Sequence, residues 1–402
     1  LYTILRKAMY GCIQASALWY AYIRREIERM GYTASETDKC VFVKQVGDRV
    51  FILMLYVDDI MAIVDEEEAR KLKSRLEKLL GVVQFEVGDK MSYLGMNITI
   101  SNQGTTIDMT FYTKQLLEGE LVDEFGSPGT KSMFIVKSSK ALPEDERKWF
   151  HSKTAKLLYL AKRARPDILT AVIFLCTRVQ EATEEDREKL RRVLGYLKHT
   201  LHRTLTLQAH GDVSTVTAYV DAAYAIHDDS KSHSGVVVYV GSTLVYVSSR
   251  KQKCMSKSPT EAELIALTDN LGLVELFKEF LEFVTQGPVP IPVVYQDCNV
   301  VVTLVTKGGG QTRTKHLRAR MHLGKEMVDE ERIKVIYCKA KDMQADGFSK
   351  PYEPAKQGPF STLILGKDVN KVNRWALQIG TSEERQIGTS ERRGTSEQKT
   401  SG

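Results

Sequence analysis

The chain has 402 residues, a formal net charge of +6, and 43% hydrophobic against 27% charged residues. That length calls for two or three domains, since single cores stop growing well below it, and the composition is that of a globular protein. The basic excess is compatible with a polyanion partner but too small to establish one, and no apolar run approaches the roughly 20 residues of a membrane span.

Six cysteines (Cys12, Cys40, Cys176, Cys254, Cys298 and Cys338) show no CxxC or Cys/His pairing. They read as reduced, mostly buried thiols of an intracellular protein, neither a zinc site nor a disulfide framework. There is no signal peptide, and a first residue Leu1 marks an expected piece of a longer reading frame.

In chain order, Ser16 is placed to cap a helix to about Met30, with Leu18, Tyr22, Ile23, Ile27 and Met30 on one apolar face and Gly31 as its stop. Strand-like runs at 40–43 and 50–56 flank Gly47-Asp48, and a third at 60–64 follows Asp58-Asp59. Asp65 and three glutamates then open a helix with Leu72, Leu76, Leu79 and Leu80 at helical spacing, closed by Gly81. The pattern is extended over 85–100, helical over 113–125, and loop-like over 127–143. Helices are predicted over 144–181, interrupted near Arg165-Pro166, and over 184–200.

After Gly211 come strands at 216–220, 234–239 and 243–248, a helix over 259–283, a strand at 293–296, further helices and a strand at 334–338. This is a mixed α/β order. Beyond Pro351 the sequence decays into a near-repeat, Gln378-Ile379-Gly380-Thr381-Ser382-Glu383 and Gln386-Ile387-Gly388-Thr389-Ser390-Glu391, almost free of apolar residues. A disordered tail is expected there.

Tyr56-Val57-Asp58-Asp59 lies between two runs apolar enough to be buried strands. A pair of carboxylates there is either a solvated hairpin tip or a set of hard oxygen ligands for a divalent metal in phosphoryl transfer. The surroundings favour the second. Tyr-Val-Asp-Asp is similar to the catalytic motif of reverse transcriptases. Leu5-Arg6-Lys7-Ala8-Met9-Tyr10-Gly11-Cys12-Ile13-Gln14-Ala15 with Leu18-Trp19-Tyr20 resembles the opening pattern of the copia-type LTR-retrotransposon Pol polyproteins. Tyr93-Leu94-Gly95-Met96, Leu157-Leu158-Tyr159-Leu160-Ala161 and Arg165-Pro166-Asp167-Ile168 resemble later motifs of the same family, in the same order. Ser16 and Ala17 stand where that family usually has proline and arginine. The resemblance also implies a further polymerase aspartate upstream of Leu1, so Asp58 and Asp59 form only part of a two-metal site.

A fuller set of acids lies in 211–351. Asp221 ends the first strand there and Asp297 the fourth, placing both in the crevice at the carboxyl ends of neighbouring strands. Glu263 lies on the long helix and Asp346 near the start of the last, and the four could converge on two magnesium ions about 3.5–4 Å apart. This layout resembles RNase H of the copia type, through Lys231-Ser232-His233-Ser234-Gly235, Ser249-Arg250-Lys251-Gln252, Thr260-Glu261-Ala262-Glu263-Leu264-Ile265-Ala266, Lys315-His316-Leu317 and Ala345-Asp346-Gly347-Phe348-Ser349-Lys350-Pro351. Tyr246 replaces a usual tryptophan, and Cys298 a usual asparagine. Glu261 competes with Glu263, but Ser258-Pro259-Thr260-Glu261 is a capping box, which already employs Glu261. His316 and His322 read as structural.

The expected fold is α+β or α/β: a partial polymerase palm with a helical connection, then an RNase H-like mixed five-stranded sheet flanked by helices. The expected division is 1–135 truncated reverse transcriptase, 136–210 helical thumb or connection, 211–352 RNase H-like domain and 353–402 tail. The resemblance implies two-metal hydrolysis of RNA in RNA–DNA hybrids, with RNA-directed DNA synthesis if the upstream half is supplied. It implies Mg2+ (two ions per site, Mn2+ as substitute) on Asp221, Glu263, Asp297 and Asp346 and on Asp58 and Asp59. Nucleic acid would be held by Gln14, Arg250, Lys251 and Lys253. Partners would be the hybrid, template-primer and the rest of the polyprotein (integrase, protease, missing polymerase half), with no membrane, in cytoplasmic virus-like particles and the nucleus. The alternative is a decayed, catalytically dead element fragment that at most binds nucleic acid.

Overall fold

The computed structural model describes residues 11–208, 214–308 and 315–366. Helix α1 (Ala15–Arg29) is followed by β1 (Thr33–Ala34), β2 (Val41–Val46), β3 (Arg49–Tyr56), β4 (Asp59–Ile63) and α2 (Glu66–Leu80). The four strands form an antiparallel sheet in that order. Ile23 and Ile27 of α1 and Leu72 and Leu76 of α2 pack with Phe42, Leu53 and Leu55 of the sheet. α2 follows its sequence closely: Asp65 Oδ1 accepts from the Glu68 N–H at 2.8 Å, glutamates fill the first turn, and Gly81 closes it at φ 88°.

α1 departs from expectation. It starts at Ala15 without a side-chain cap, so Ser16 lies inside the helix, and Leu18 and Tyr22 face outward. Glu26 joins Ile23 and Ile27 on the buried stripe because Arg29 and Arg75 both pair with its carboxylate. β4 is half-buried to exposed, against the expectation of burial, because it is the edge of its sheet.

The next sheet joins β5 (Lys90–Tyr93), β6 (Met96–Ser101) and β7 (Gly104–Asp108) to β8 (Leu205–Gln208), all antiparallel. The stretch 85–100, expected to be one extended piece, turns at Leu94 and Gly95, which take φ of 50° and 72°. α3 (Thr110–Leu117) stops well short of residue 125, with Gly119 at φ 75° just beyond it. Residues 127–143 are the expected irregular connection. α4 (Glu144–Arg163), a 3-10 turn (Pro166–Ile168), α5 (Leu169–Cys176) and α6 (Glu184–His199) follow, α6 opened by a Thr183–Asp186 capping box.

The mixed five-stranded sheet is present. β9 (Val216–Ala223), β10 (His233–Val240) and β11 (Thr243–Lys251) form an antiparallel meander; α7 (Pro259–Thr285) then leads to β12 (Val293–Gln296), parallel to β9. α8 (Asn299–Lys307) and α9 (Lys315–Asp329) lead to β13 (Lys334–Tyr337), parallel to β12, so the order is β11-β10-β9-β12-β13. Alternate residues of β9 and β10 enter two cores. Val216, Ala218, Val220, Val236 and Val238 pack under α7, α8 and α9, while Tyr219, Val237 and Tyr239 pack with Phe174 and Leu175 of α5. Cover on both faces is why Val236-Val237-Val238 is an unbroken apolar run.

α10 (Asp346–Ser349) and α11 (Pro354–Ile364) complete the described chain. α11 overturns part of the expectation of disorder from residue 353. Phe360, Ile364 and Leu365 are buried, and Ser361 and Gln357 bond to the Arg165–Asp167 region. The repeat at 378–391 lies outside the described residues. All six cysteines are free, but only Cys338 is buried, and Cys12 and Cys254 are exposed, so the thiols are not mostly buried. No helix among the described residues is long and apolar enough to cross a membrane.

Candidate functional site

Asp221 sits on β9, two residues after Tyr219, and so shares the face of the sheet against which α5 packs. It lies within the strand, which runs on to Ala223, rather than at its end. β12 pairs with β9 in parallel with Tyr295 opposite Tyr219, and continuing that register sets Asp297 beside Asp221. Neighbouring strands lie about 4.8 Å apart, so the two carboxyls are forced together. Glu263 comes from the first turns of α7. One ligand oxygen from each of Asp221, Glu263 and Asp297 lies within 4.8 Å of the other two. No other such group of His, Cys, Asp or Glu occurs among the described residues.

Burial followed by mutual repulsion dominates this cluster. Burial, then the Asp221 and Asp297 charges, pushes the Glu263 carboxyl up to about 9. Asp221 is raised as well, burial leading and its Ser349 hydrogen bond opposing, and Asp297 moves in the same direction through burial and Asp346. Such a set is costly as bare anions and fits a hard divalent cation bound through oxygen.

Asp346 lies beside the three but is engaged elsewhere. Its Oδ2 accepts from the Tyr352 hydroxyl at 2.5 Å, and its other oxygen pairs with the Lys350 ammonium. Burial opposes the Lys350 charge, but Asp346, Asp221 and Asp297 together raise its pKa.

Sequence reasoning missed the residues that hold the acids. Ser349 Oγ donates to Asp221 Oδ2. Fully buried Gln296 donates from Nε2 to Glu263 at 3.2 Å, while its Oε1 accepts from the Cys298 N–H at 2.9 Å. Gly235 lets α10 approach, because a Cβ there would lie 2.6 Å from Ala345 O and from Ser349 N. Gly235 and Ser349 stand inside the motifs named above and Gln296 ends the predicted strand at 293–296, but hydrogen bonding across the fold has no sequence periodicity. Glu261 is occupied otherwise: its N–H donates to Ser258 Oγ at 3.2 Å, and its carboxylate accepts from the Lys257 N–H at 2.8 Å. The second bond of the expected box therefore goes to Lys257 instead of Ser258.

The remaining expected residues are scattered. Asp58 and Asp59 occupy the exposed tip of the β3–β4 hairpin, where Tyr56 pairs with Asp59. Val57 takes φ 57°, uncommon for a β-branched residue, and its carbonyl accepts from Trp19 Nε1 at 2.5 Å. Tyr93 lies near this tip, its phenol pushed up by burial and by Asp59. Among the described residues no third carboxylate joins the pair. Gln14 is exposed just before α1. Arg250 and Lys253 are exposed, and Lys251 is paired with Asp229 at 2.8 Å. Arg250 follows Ser249, which shares a cross-strand row with Gly235 and Asp221, so Arg250 leaves the sheet on the face opposite Asp221. His322 is exposed on α9, and the His316 side chain lies outside the described residues.

Residues 2–128 match the family model described as reverse transcriptase (RNA-dependent DNA polymerase). The chain is 29% identical over 90% of its length to a retrovirus-related Pol polyprotein from transposon RE2 of Arabidopsis thaliana, and covers 25% of that protein. It is 28% identical over 86% of its length to the corresponding polyprotein from transposon TNT 1-94 of Nicotiana tabacum, covering 27% of it. The chain thus spans about a quarter of the length of these relatives. Among solved structures, LC11-RNase H1 is 17% identical and aligns with 34% of this chain and 92% of its own at a TM-score of 0.27. Prototype foamy virus protease-reverse transcriptase is 10% identical and aligns with 90% of this chain and 62% of its own at 0.25.

Proposed function

From its homology to the Pol polyproteins of copia-type retrotransposons, we propose that this chain hydrolyses the RNA strand of RNA–DNA hybrids at Asp221, Glu263 and Asp297. The convergence of those three carboxylates within 4.8 Å carries the reading. Mg2+, with Mn2+ as substitute, would be held by these acids with Asp346 alongside, and supplies charge to offset the negative charge that develops on attacking and leaving oxygens. The chain's own part is to orient the ligands. Ser349 fixes Asp221, Gln296 fixes Glu263, and Tyr352 with Lys350 fixes Asp346. The hybrid would be told from duplex DNA by its 2′-hydroxyls, with Gln14, Arg250, Lys251 and Lys253 as phosphate contacts.

The division into 1–135, 136–210, 211–352 and 353–402 belongs to this proposal, with the last boundary moved beyond α11. So do template-primer and the rest of a polyprotein as partners, within cytoplasmic particles and the nucleus. RNA-directed DNA synthesis at Asp58 and Asp59 requires a further carboxylate to join them. The test uses the full chain with magnesium, a labelled hybrid, single-stranded RNA and duplex DNA. Only the RNA of the hybrid should be cut, and Asp221→Asn should lose orders of magnitude in rate with the fold kept. Equal cleavage by Asp221→Asn overturns the assignment. A parent inert on the hybrid with every divalent metal makes the chain a silent element fragment.

A further inference from the structure

A groove of about 330 Å³ runs between the β8 edge of one sheet and the β11 edge of another, closed at one side by the end of α4. Its floor is apolar, with Ile107, Leu205, Leu207 and Leu244 among its lining. Its rim is cationic. Lys162 and Arg163 come from the last turn of α4. Arg250 stands exposed on β11, the edge strand that also lines the groove, on the face away from Asp221, so that the cations gather around that edge of the sheet.

None of these three cations has an ion pair among the described residues, although other arginines of the helical region do. Arg178 on Asp186 and Arg187 on Glu146 are examples. Lys162 instead donates to the Val247 carbonyl at 3.2 Å and lies 5.5 Å from the centre of the Tyr246 ring. Arg163 places its guanidinium carbon 3.6 Å from the centre of the Tyr159 ring, a cation–π contact that leaves its charge without a carboxylate partner. Burial and the Arg250 charge both press Lys162 toward losing its proton. Like charges gathered without counter-charges repel one another, and an anionic ligand removes that penalty.

Position narrows the ligand. Val247 shares a cross-strand row with Val237 and Tyr219, two residues before the row of Ser249, Gly235 and Asp221. With about 3.4 Å per residue along a strand and about 4.8 Å between strands, Lys162 contacts the sheet about 12 Å from Asp221. A duplex carries one negative charge per roughly 1.7 Å of axis, so a strand seated at the carboxylates presents further phosphates within that distance.

We infer that Lys162, Arg163 and Arg250 form a second phosphate-binding track, which takes the sugar–phosphate backbone of the same nucleic acid away from the cleavage point. The apolar floor receives sugar surfaces and the three cations receive phosphates. The inference rests on the hybrid as substrate, yet concerns binding alone. It assigns to α4, outside the mixed sheet, a direct part in holding the duplex.

The test reads binding of a fluorescent RNA–DNA hybrid to the full chain in EDTA, over a range of sodium chloride, so that cleavage plays no part. Neutralising the track with Lys162→Gln, Arg163→Gln and Arg250→Gln should weaken binding at least about tenfold and lower the salt slope by about 2–3, close to one for each phosphate no longer neutralised. A control neutralises Arg70, Lys71 and Lys73 on α2, each paired with a glutamate, and should lose far less. The charge-keeping set Lys162→Arg, Arg163→Lys, Arg250→Lys should retain most of the affinity, which separates charge from misfolding. Equal weakening by track and control variants overturns the track, as does a charge-keeping set as weak as the neutral one. A parent that cleaves hybrid while the neutral track variant binds unchanged overturns the track and leaves the nuclease reading standing. A parent that binds no hybrid at all overturns both.

Discussion

Ser349 donates its hydroxyl hydrogen to Asp221 across 128 residues of chain, and Gly235 on the intervening strand is what allows it. The bond fixes one carboxylate of the acidic cluster and opposes the rise in its pKa that burial causes. Removing the donor should therefore act through Asp221 while leaving packing almost unchanged. Ser349→Ala is expected to lower hybrid cleavage by about 10–100-fold, the usual cost of losing an outer partner of a metal ligand. Gly235→Ala should be at least as damaging, because its methyl displaces α10 and with it both Ser349 and Asp346. Steady-state cleavage over a magnesium titration checks this, and an unaffected Ser349→Ala refutes the positioning role.

Glu261 and Glu263 are two residues apart on one helix and have opposite assignments. Glu263→Gln should abolish cleavage, since it removes a charge from the converging set. Glu261→Gln should keep most of the activity, because its neutral amide can still accept from the Lys257 N–H. The loss in stability should be about 1 kcal/mol. Parallel rate measurements decide it: an active Glu263→Gln beside a dead Glu261→Gln reverses the ligand choice.

The acids also tie stability to pH and metal. Asp221 and Asp297 are raised above 3.8, and Glu263 from 4.5 to about 9. A carboxyl with a higher pKa folded than unfolded binds more protons in the folded state between the two values, so unfolding free energy falls as pH rises there. The contribution of these three acids to the stability of the metal-free protein should be greatest below the ordinary carboxylate values and be lost progressively up to about pH 9. Asp167, despite its burial held low by Arg165, works in the opposite sense at acid pH. Magnesium, bound only by the folded ionised set, should raise Tm more at about pH 8 than at about pH 5. Glu263→Gln should flatten both trends. Thermal melts with EDTA or magnesium at several pH values test this, and a parent profile no steeper than that of Glu263→Gln contradicts it.

Arg165 and Asp167 form a fully buried bidentate pair, with both guanidinium–carboxylate bonds at 2.9 Å. Tyr196 at 2.8 Å and Ser361 at 2.9 Å also donate to Asp167, and Arg165 reaches Thr200 at 2.7 Å. Asp167→Ala leaves a buried guanidinium without its counter-charge. It should destabilise the chain by about 3–5 kcal/mol, without altering any residue of the acidic cluster. Denaturant melts give the magnitude, and a loss below about 1 kcal/mol would place the pair among interactions of surface strength.

What the sequence determined was short-range. Asp65, three glutamates and Gly81 bound α2 because capping, helix dipole and glycine conformation act within one turn. The strand at 293–296 was legible from local β-branched content, and its bounds are those of β12. The acids of the second half stood out because aspartates beside apolar strands are conspicuous wherever the chain later places them. Tertiary structure decided the rest, since burial and hydrogen bonding depend on partners far along the chain. It made β4 an exposed edge, so that Asp58 and Asp59 stand at an open tip. It turned Arg165-Pro166-Asp167-Ile168, which sequence reading could quote but not explain, into a buried lock for α6 and α11. It ordered Pro354–Ile364, whose polar and proline-rich start reads as loop, by giving Phe360 and Ile364 an apolar surface to cover. Above all, it set Asp221, Glu263 and Asp297 within 4.8 Å, because parallel pairing of β12 with β9 and the packing of α7 on β9 join segments that no local pattern connects.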